Sequence, residues 1–94
     1  MRSAILVFNV PILTMQHSVA IYTTPSCHFC HLAKDYFHEN NIAFAEYDVA
    51  ADMEKRKEMM DMTKQLGVPV IHIDDTVIIG FNKPKVAELL GLAA

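Results

Sequence analysis

From Val19 onward the chain alternates between two hydrophobic periods in a set order, and that order limits the fold more than any single motif. Val19-Ala20-Ile21-Tyr22-Thr23 is a short apolar, β-branched and aromatic run ended by Pro25-Ser26, the pattern of a buried strand. A helix follows at once. Ser26 is placed to cap it, and Phe29, Leu32, Ala33, Tyr36 and Phe37 recur on one side of a 3.6-residue period, while His28, His31, Asp35 and His38 line the other. Asn40-Asn41 breaks the helix. Residues 42–49 then alternate as a second strand, with Ile42, Phe44, Glu46 and Asp48 on one face and Ala43, Ala45, Tyr47 and Val49 on the other. The spacing predicts a second helix from about Asp52 to Leu66, with Met59, Met62 and Leu66 on its inner stripe and Gly67 as its stop. Val68 to Ile73 and Thr76 to Ile79 are apolar, β-branched runs separated by Asp74-Asp75, which reads as a hairpin. Pro84 suits the first turn of a last helix that turns Val86, Leu89 and Leu90 inward and ends at Gly91.

The order is therefore β-α-β-α-β-β-α. A right-handed β-α-β unit lays the first two strands side by side and parallel, and the hairpin adds antiparallel strands to the same sheet. The expected fold class is α/β, a four-stranded mixed sheet flanked by three helices. With 94 residues and 52% hydrophobic content the chain supports one compact domain and is too short for two. Residues 16–94 read as that domain, and residues 1–15 as an N-terminal extension that the fold does not need, with Met15 as a candidate natural start.

The net charge of −3 comes from scattered acids and bases, so no broad positive field exists to attract nucleic acid or anionic lipid, and neither is an expected partner. Lys55-Arg56-Lys57 is surrounded by Asp52, Glu54, Glu58 and Asp61 at helical ion-pair spacings and reads as a solvated helix face. Arg2 and the apolar residues from Ala4 to Leu13 imitate a short signal peptide, but Asn9 and Pro11 interrupt the run and it falls short of the ~20 residues of a membrane span. A monomer in a reducing cytoplasm is the expectation, because two cysteines do not make a secreted disulfide scaffold.

Those two cysteines, in Ser26-Cys27-His28-Phe29-Cys30-His31, fall where the first strand hands over to the first helix, the end of a parallel sheet at which ligands usually bind. A bridge closing so small a loop removes little freedom from the unfolded chain, so a purely structural staple is set aside. Haem attachment through Cys27, Cys30 and His31 would need room for a macrocycle beside a helix whose apolar side packs on a sheet. A closed tetrahedral metal site needs four ligands that one short peptide cannot easily supply, although a metal or iron–sulfur site shared between two subunits through Cys27 escapes that objection. The Met-rich stripe of the second helix reads as core filler. A redox dithiol fits best. With Ser26 as cap, Cys27 is the first helical residue, where free N–H groups and the helix dipole favour a thiolate, and Cys30 lies nearly a turn deeper as its shielded partner. Two unlike sulfurs are what thiol–disulfide exchange needs. His28 is a further candidate to tune the thiol, since an imidazolium beside Cys27 would favour the thiolate.

On these residues the sequence resembles the glutaredoxin family of thioredoxin-fold proteins from about Val19 to Leu92. The resemblance is carried by the strand ending Tyr22-Thr23, the segment from Cys27 to Lys34, Gly67-Val68-Pro69-Val70, and Gly80 ahead of the last helix. It implies a thiol-disulfide oxidoreductase without a tightly bound cofactor, acting on protein or low-molecular-weight disulfides. Cys27 would be the attacking cysteine and Cys30 the resolving one. Pro69 would be a cis-proline facing them, with Val68 offering backbone hydrogen bonds to a substrate chain; Phe29, Gly80, Phe81 and Lys83 would border the substrate. The electron donor would be glutathione or a thioredoxin-reductase-type enzyme. Glutathione-using members usually carry Pro-Tyr between the cysteines, Thr before the Val-Pro pair, a basic residue just upstream of the dithiol and Gly-Gly-x-Asp at the last helix. Here those places hold His28-Phe29, Gly67, Thr24-Pro25 and Gly80-Phe81-Asn82-Lys83. Lys83 thus replaces the acid that would pair glutathione's ammonium group. The Gly80-Phe81 pattern and the Leu89-Leu90-Gly91-Leu92 ending resemble small glutaredoxin-like proteins whose electron source is thioredoxin-like.

Overall fold

Strand β1 (Val19–Thr23) is hydrogen-bonded on both sides in the computed structural model, which describes residues 17–92. The expectations about residues 1–15 lie outside the described residues. On one side β1 runs parallel to β2 (Ala45–Asp48), and on the other antiparallel to β3 (Val70–Ile73), which turns back into β4 (Thr76–Ile79). The sheet order is β2-β1-β3-β4. Helices α1 (His28–Glu39), α2 (Met53–Thr63) and α3 (Lys83–Leu90) complete the expected β-α-β-α-β-β-α order.

Directly opposed residues share a face of the sheet. Ile21 opposes Ile71, which opposes Ile78, and this row packs against Ala33, Tyr36 and Phe37 of α1 and Val86, Ala87 and Leu90 of α3. Tyr22 opposes Val70 on the other face, where Val49 and Met59 of α2 cover them. The layering is two helices on one side and one on the other.

Several boundaries differ from the sequence expectation. The buried stripe of α1 is Cys30, Ala33, Tyr36 and Phe37, while Phe29 is 58% exposed and Leu32 39% exposed. Both groupings obey a helical period, and the packing of Ala33, Tyr36 and Phe37 in the core shows which one faces the sheet. The second strand begins at Ala45 rather than Ile42, since Asn41 turns the chain with a φ of 57° and the Ile42 N–H returns to the Phe37 carbonyl at 2.8 Å. Helix α2 ends at Thr63, with Lys64 in the left-handed region at φ 59°, before reaching Leu66 or Gly67. The Thr63 hydroxyl lies 2.8 Å from the Met59 carbonyl and 3.0 Å from that of Gln65, so the last turn is closed locally and Gly67 is not the stop. Of the methionines on that helix Met59 is fully buried, and Met53 and Met60 are exposed. Asp74 in the hairpin takes φ 52°, the conformation the Asp-Asp turn called for.

Helix α2 is tied to β1 by a polar bond. The Tyr22 hydroxyl donates to Glu58 at 2.6 Å, and Lys55 Nζ lies 3.2 Å from the same carboxylate and 4.2 Å from the centre of the Tyr47 ring. Burial, then the bond to Glu58, pushes the Tyr22 hydroxyl's pKa upward; the Tyr22 bond, then Lys55, holds the Glu58 carboxyl below its ordinary value. A carboxylate whose pKa is depressed by folding adds stability above its unfolded pKa of about 4.3, and that contribution fades as pH falls through the folded value. Tyr22→Phe should therefore lower the urea unfolding free energy by about 1 kcal/mol at pH 7, at the low end for a bond to a charged group because Glu58 is half exposed. It should also flatten the loss of stability between about pH 5 and pH 3. Urea titrations across that range check both effects.

Candidate active site

The turn after β1 decides where the sulfurs sit. Thr24, Pro25, Ser26 and Cys27 form a tight turn closed by the Cys27 N–H on the Thr24 carbonyl at 3.2 Å, with proline in the second position that its fixed φ suits. Ser26 is used in that turn and does not cap the helix. The N-cap is Cys27, extended at φ −84° and ψ 112°, and its sulfur accepts the Cys30 N–H at 3.1 Å. The sulfur thus stands in for the oxygen of a usual capping side chain, at the positive end of α1. Cys27 is one residue earlier than a first helical position, partly exposed, and bonded to Cys30 as a disulfide with the Cα atoms 5.2 Å apart. Cys30 is 0% exposed.

The sheet register brings the other expected residues to the same end. Tyr22 opposes Val70 and Val70 opposes Ile79, so the end of β1, the start of β3 and the end of β4 coincide. Val68-Pro69 precedes β3 there, its peptide bond is cis and Pro69 is buried. Gly80, at φ 89° where a side chain is disfavoured, donates its N–H to the Pro69 carbonyl at 2.8 Å and locks the two segments together. Phe81 and Lys83 turn away along α1. The Phe81 ring lies 5.9 Å from that of Tyr36 and Lys83 Nζ lies 5.2 Å above the Tyr36 ring, at a groove of about 320 Å3 lined also by Leu32, Asp35 and Glu39. Phe29 projects into solvent beside the dithiol, with the His28 ring edge-on to it at 5.4 Å between centroids.

Behind the turn lies a brace that the sequence reading did not single out. Glu46 of β2 accepts Lys34 Nζ of α1 at 2.8 Å and the buried Thr23 hydroxyl of β1 at 3.0 Å, which joins three elements at the site. The Lys34 bond is the main reason that the Glu46 carboxyl lies below its ordinary value. A signal existed: the strand alternation set Glu46 on the same face as Ile42 and Phe44. His31, the residue after the dithiol, places Nε2 3.0 Å from the Pro25 carbonyl. Among the described residues no group of three His, Cys, Asp or Glu side chains is gathered as a metal site, and no helix is long and apolar enough to cross a membrane.

The fold and the paired cysteines at the start of α1 define a thioredoxin-fold dithiol protein. A glutaredoxin profile matches residues 19–78, and the chain belongs to the glutaredoxin family. It is 46% identical over 72 residues to a glutaredoxin-like 8.6 kDa protein in a rubredoxin operon of Clostridium pasteurianum, covering 77% of this chain and 96% of that one. Among solved structures it is similar to a thioredoxin-like protein at 30% identity and a TM-score of 0.72, covering 77% and 99% of the two chains. The glutaredoxin-like NrdH-redoxin of Escherichia coli shares the fold at 23% identity and a TM-score of 0.70, over 82% of this chain and 99% of that one.

The burial difference between the sulfurs makes a direct prediction. After reduction, iodoacetamide should label Cys27 in the folded protein and leave Cys30 unlabelled until denaturant is added, as read by peptide mass mapping. Equal labelling of both under native conditions would show that Cys30 is not sheltered.

Proposed function

We propose that this chain is a dithiol thiol-disulfide oxidoreductase that reduces disulfides of proteins or small thiols, acting as a monomer in a reducing cytoplasm. The observation that carries the reading is the contrast between the Cys27 sulfur, partly exposed and accepting the Cys30 N–H at the start of α1, and the fully buried Cys30. The Cys27 thiolate attacks one sulfur of a substrate disulfide. That bond breaks, the leaving sulfur takes the electron pair and a proton from solvent, and a mixed disulfide remains on Cys27. The Cys30 thiol then loses its proton and attacks the Cys27 sulfur, which releases the second substrate thiol and leaves the Cys27–Cys30 disulfide. Two electrons and two protons pass to the substrate. In this reading the backbone of the partly buried Val68, beside the buried cis Pro69, pairs with the substrate chain, and Phe29 and Phe81 flank it.

Replacing Cys30 by serine removes the resolving step. Cys30→Ser should accumulate a mixed disulfide with a disulfide-bearing protein substrate, visible on non-reducing gels and released by dithiothreitol, and Cys27→Ser should accumulate none. Comparable trapping by both variants would overturn the division of roles.

For the electron donor we favour a flavin-dependent thioredoxin-type reductase over glutathione. Lys83 sits at the start of α3 where a partner for glutathione's ammonium would be acidic, and its amine faces the Tyr36 ring. The solved NrdH-redoxin that shares this fold is described as having a thioredoxin-like activity profile, which supports the same direction. Turnover of a model disulfide should be faster with thioredoxin reductase and NADPH than with glutathione and its reductase. A saturable glutathione-dependent rate with no response to thioredoxin reductase reverses the donor, and a coloured, iron-containing reduced protein would favour cluster binding through Cys27 instead.

A further inference from the structure

His31 holds the reactive turn from two directions. Its backbone N–H donates to the Cys27 carbonyl at 3.3 Å, and its ring Nε2 lies 3.0 Å from the Pro25 carbonyl. A carbonyl oxygen only accepts, so Nε2 carries the hydrogen, and it does so in the neutral tautomer and in the imidazolium alike. The clip therefore persists when the ring changes charge. Pro25 and Ser26 are both exposed, so packing does little to hold them, and the only other backbone bond across the turn is that of the Cys27 N–H to Thr24.

We propose that His31 is a positioning residue for Cys27, whose side chain pins the Pro25 carbonyl and so keeps the reactive sulfur at the start of α1 once the disulfide is opened. This deepens the exchange mechanism proposed above and rests on it. In the oxidised protein the Cys27–Cys30 bond fixes the sulfur covalently, and the clip adds little. Reduction removes that tie. The thiolate then stays over the Cys30 N–H only if the exposed turn remains folded, so the His31 bond stabilises the reduced state selectively. The charged groups nearest in the same brace are Lys34 and Glu46, which are bonded to each other at 2.8 Å. Phe29 and Leu32 offer no polar alternative, and His28 is turned toward Phe29.

The sign of the effect follows from the states involved. Losing the clip weakens thiolate stabilisation, which raises the pH midpoint of Cys27 alkylation. It also makes the dithiol less stable relative to the disulfide, so the couple becomes more reducing. The test uses His31→Ala and His31→Gln. Alkylation profiles are recorded in a Cys30→Ser background, and the redox equilibrium against a dithiothreitol buffer is measured with both cysteines present. Loss of one exposed hydrogen bond should move the His31→Ala redox equilibrium about three- to tenfold, equal to about 15 to 30 mV for a two-electron couple. The alkylation midpoint should rise by about 0.5 to 1 pH unit. Glutamine keeps a donor at similar reach, so His31→Gln should stay close to the wild type. Thermal unfolding of the oxidised His31→Ala protein should be no lower than that of the wild type, because alanine favours the helix and the disulfide still holds the turn.

Wild-type values for His31→Ala in both measurements would overturn the proposal. So would a glutamine variant as impaired as the alanine one, since the ring rather than the bond would then matter. Neither measurement needs a substrate: if these shifts occur while the wild type reduces no disulfide, the clip stands and the oxidoreductase reading alone is lost.

Discussion

Everything at the site depends on β1 being paired on both edges, parallel on one and antiparallel on the other. Its parallel bond ladder to β2 requires a crossover, which is α1, and the chain must therefore leave β1 and enter a helix within a few residues. Its antiparallel ladder to β3 sets Val70 opposite Tyr22, so the segment before β3 arrives at the same edge. A slip of one residue in either ladder would exchange Ile21 and Tyr22 between the two cores and carry Val68-Pro69 away from the dithiol. The hydrophobic faces thus enforce the geometry of the chemistry: Ile21 buries against α1 and α3, Tyr22 against α2, and the cysteines have one place left to go.

The order and pairing of elements were legible because β1, β3 and β4 are short runs rich in β-branched residues, β2 lies in a two-residue alternation, and breaks have specific agents such as Asn41, the Asp74 turn or Gly91 at φ 71°. Both sulfurs, the cis Val68–Pro69 bond and Gly80 were found at the expected end of the sheet. What the pattern could not resolve was phase and capping. Phe29 and Cys30 are adjacent, and either can begin an apolar stripe; the decision depends on the direction in which the turn delivers the helix, a tertiary matter. Ser26 has the better capping side chain in isolation, yet Pro25 draws it into the turn and the cap passes to a sulfur. Helix α2 stops at Lys64 because the Thr63 hydroxyl closes the last turn, a contact two to four residues long that no periodicity reports. The Glu46 brace was half visible as an acid sharing a strand face with Ile42 and Phe44, but its partner Lys34 lies twelve residues away on another element.

Charge around the dithiol is arranged in two layers. Lys34 and Glu46 neutralise each other behind the turn, and with the Thr23 hydroxyl they join β1, β2 and α1 at the place where they meet. In front, toward solvent, stand the less constrained His28, Phe29 and the groove that reaches Phe81 and Lys83. The bonds are therefore concentrated behind the nucleophile, while the approach side offers apolar surface and the Lys83 amine. A substrate can be exchanged on such a face without disturbing the elements that hold the sulfur.

The Cys27 sulfur is also part of the secondary structure, because it is the acceptor that caps α1. A thiolate is a strong acceptor, a sulfur in a covalent bridge a weak one, and the strength of the cap therefore changes with each chemical step. Opening the bridge between the cysteines thus exchanges a covalent tie for a stronger acceptor at the cap of α1. The Cys30 amide proton, which this cap bond holds, is the backbone group that would report the cycle through its exchange with solvent deuterium.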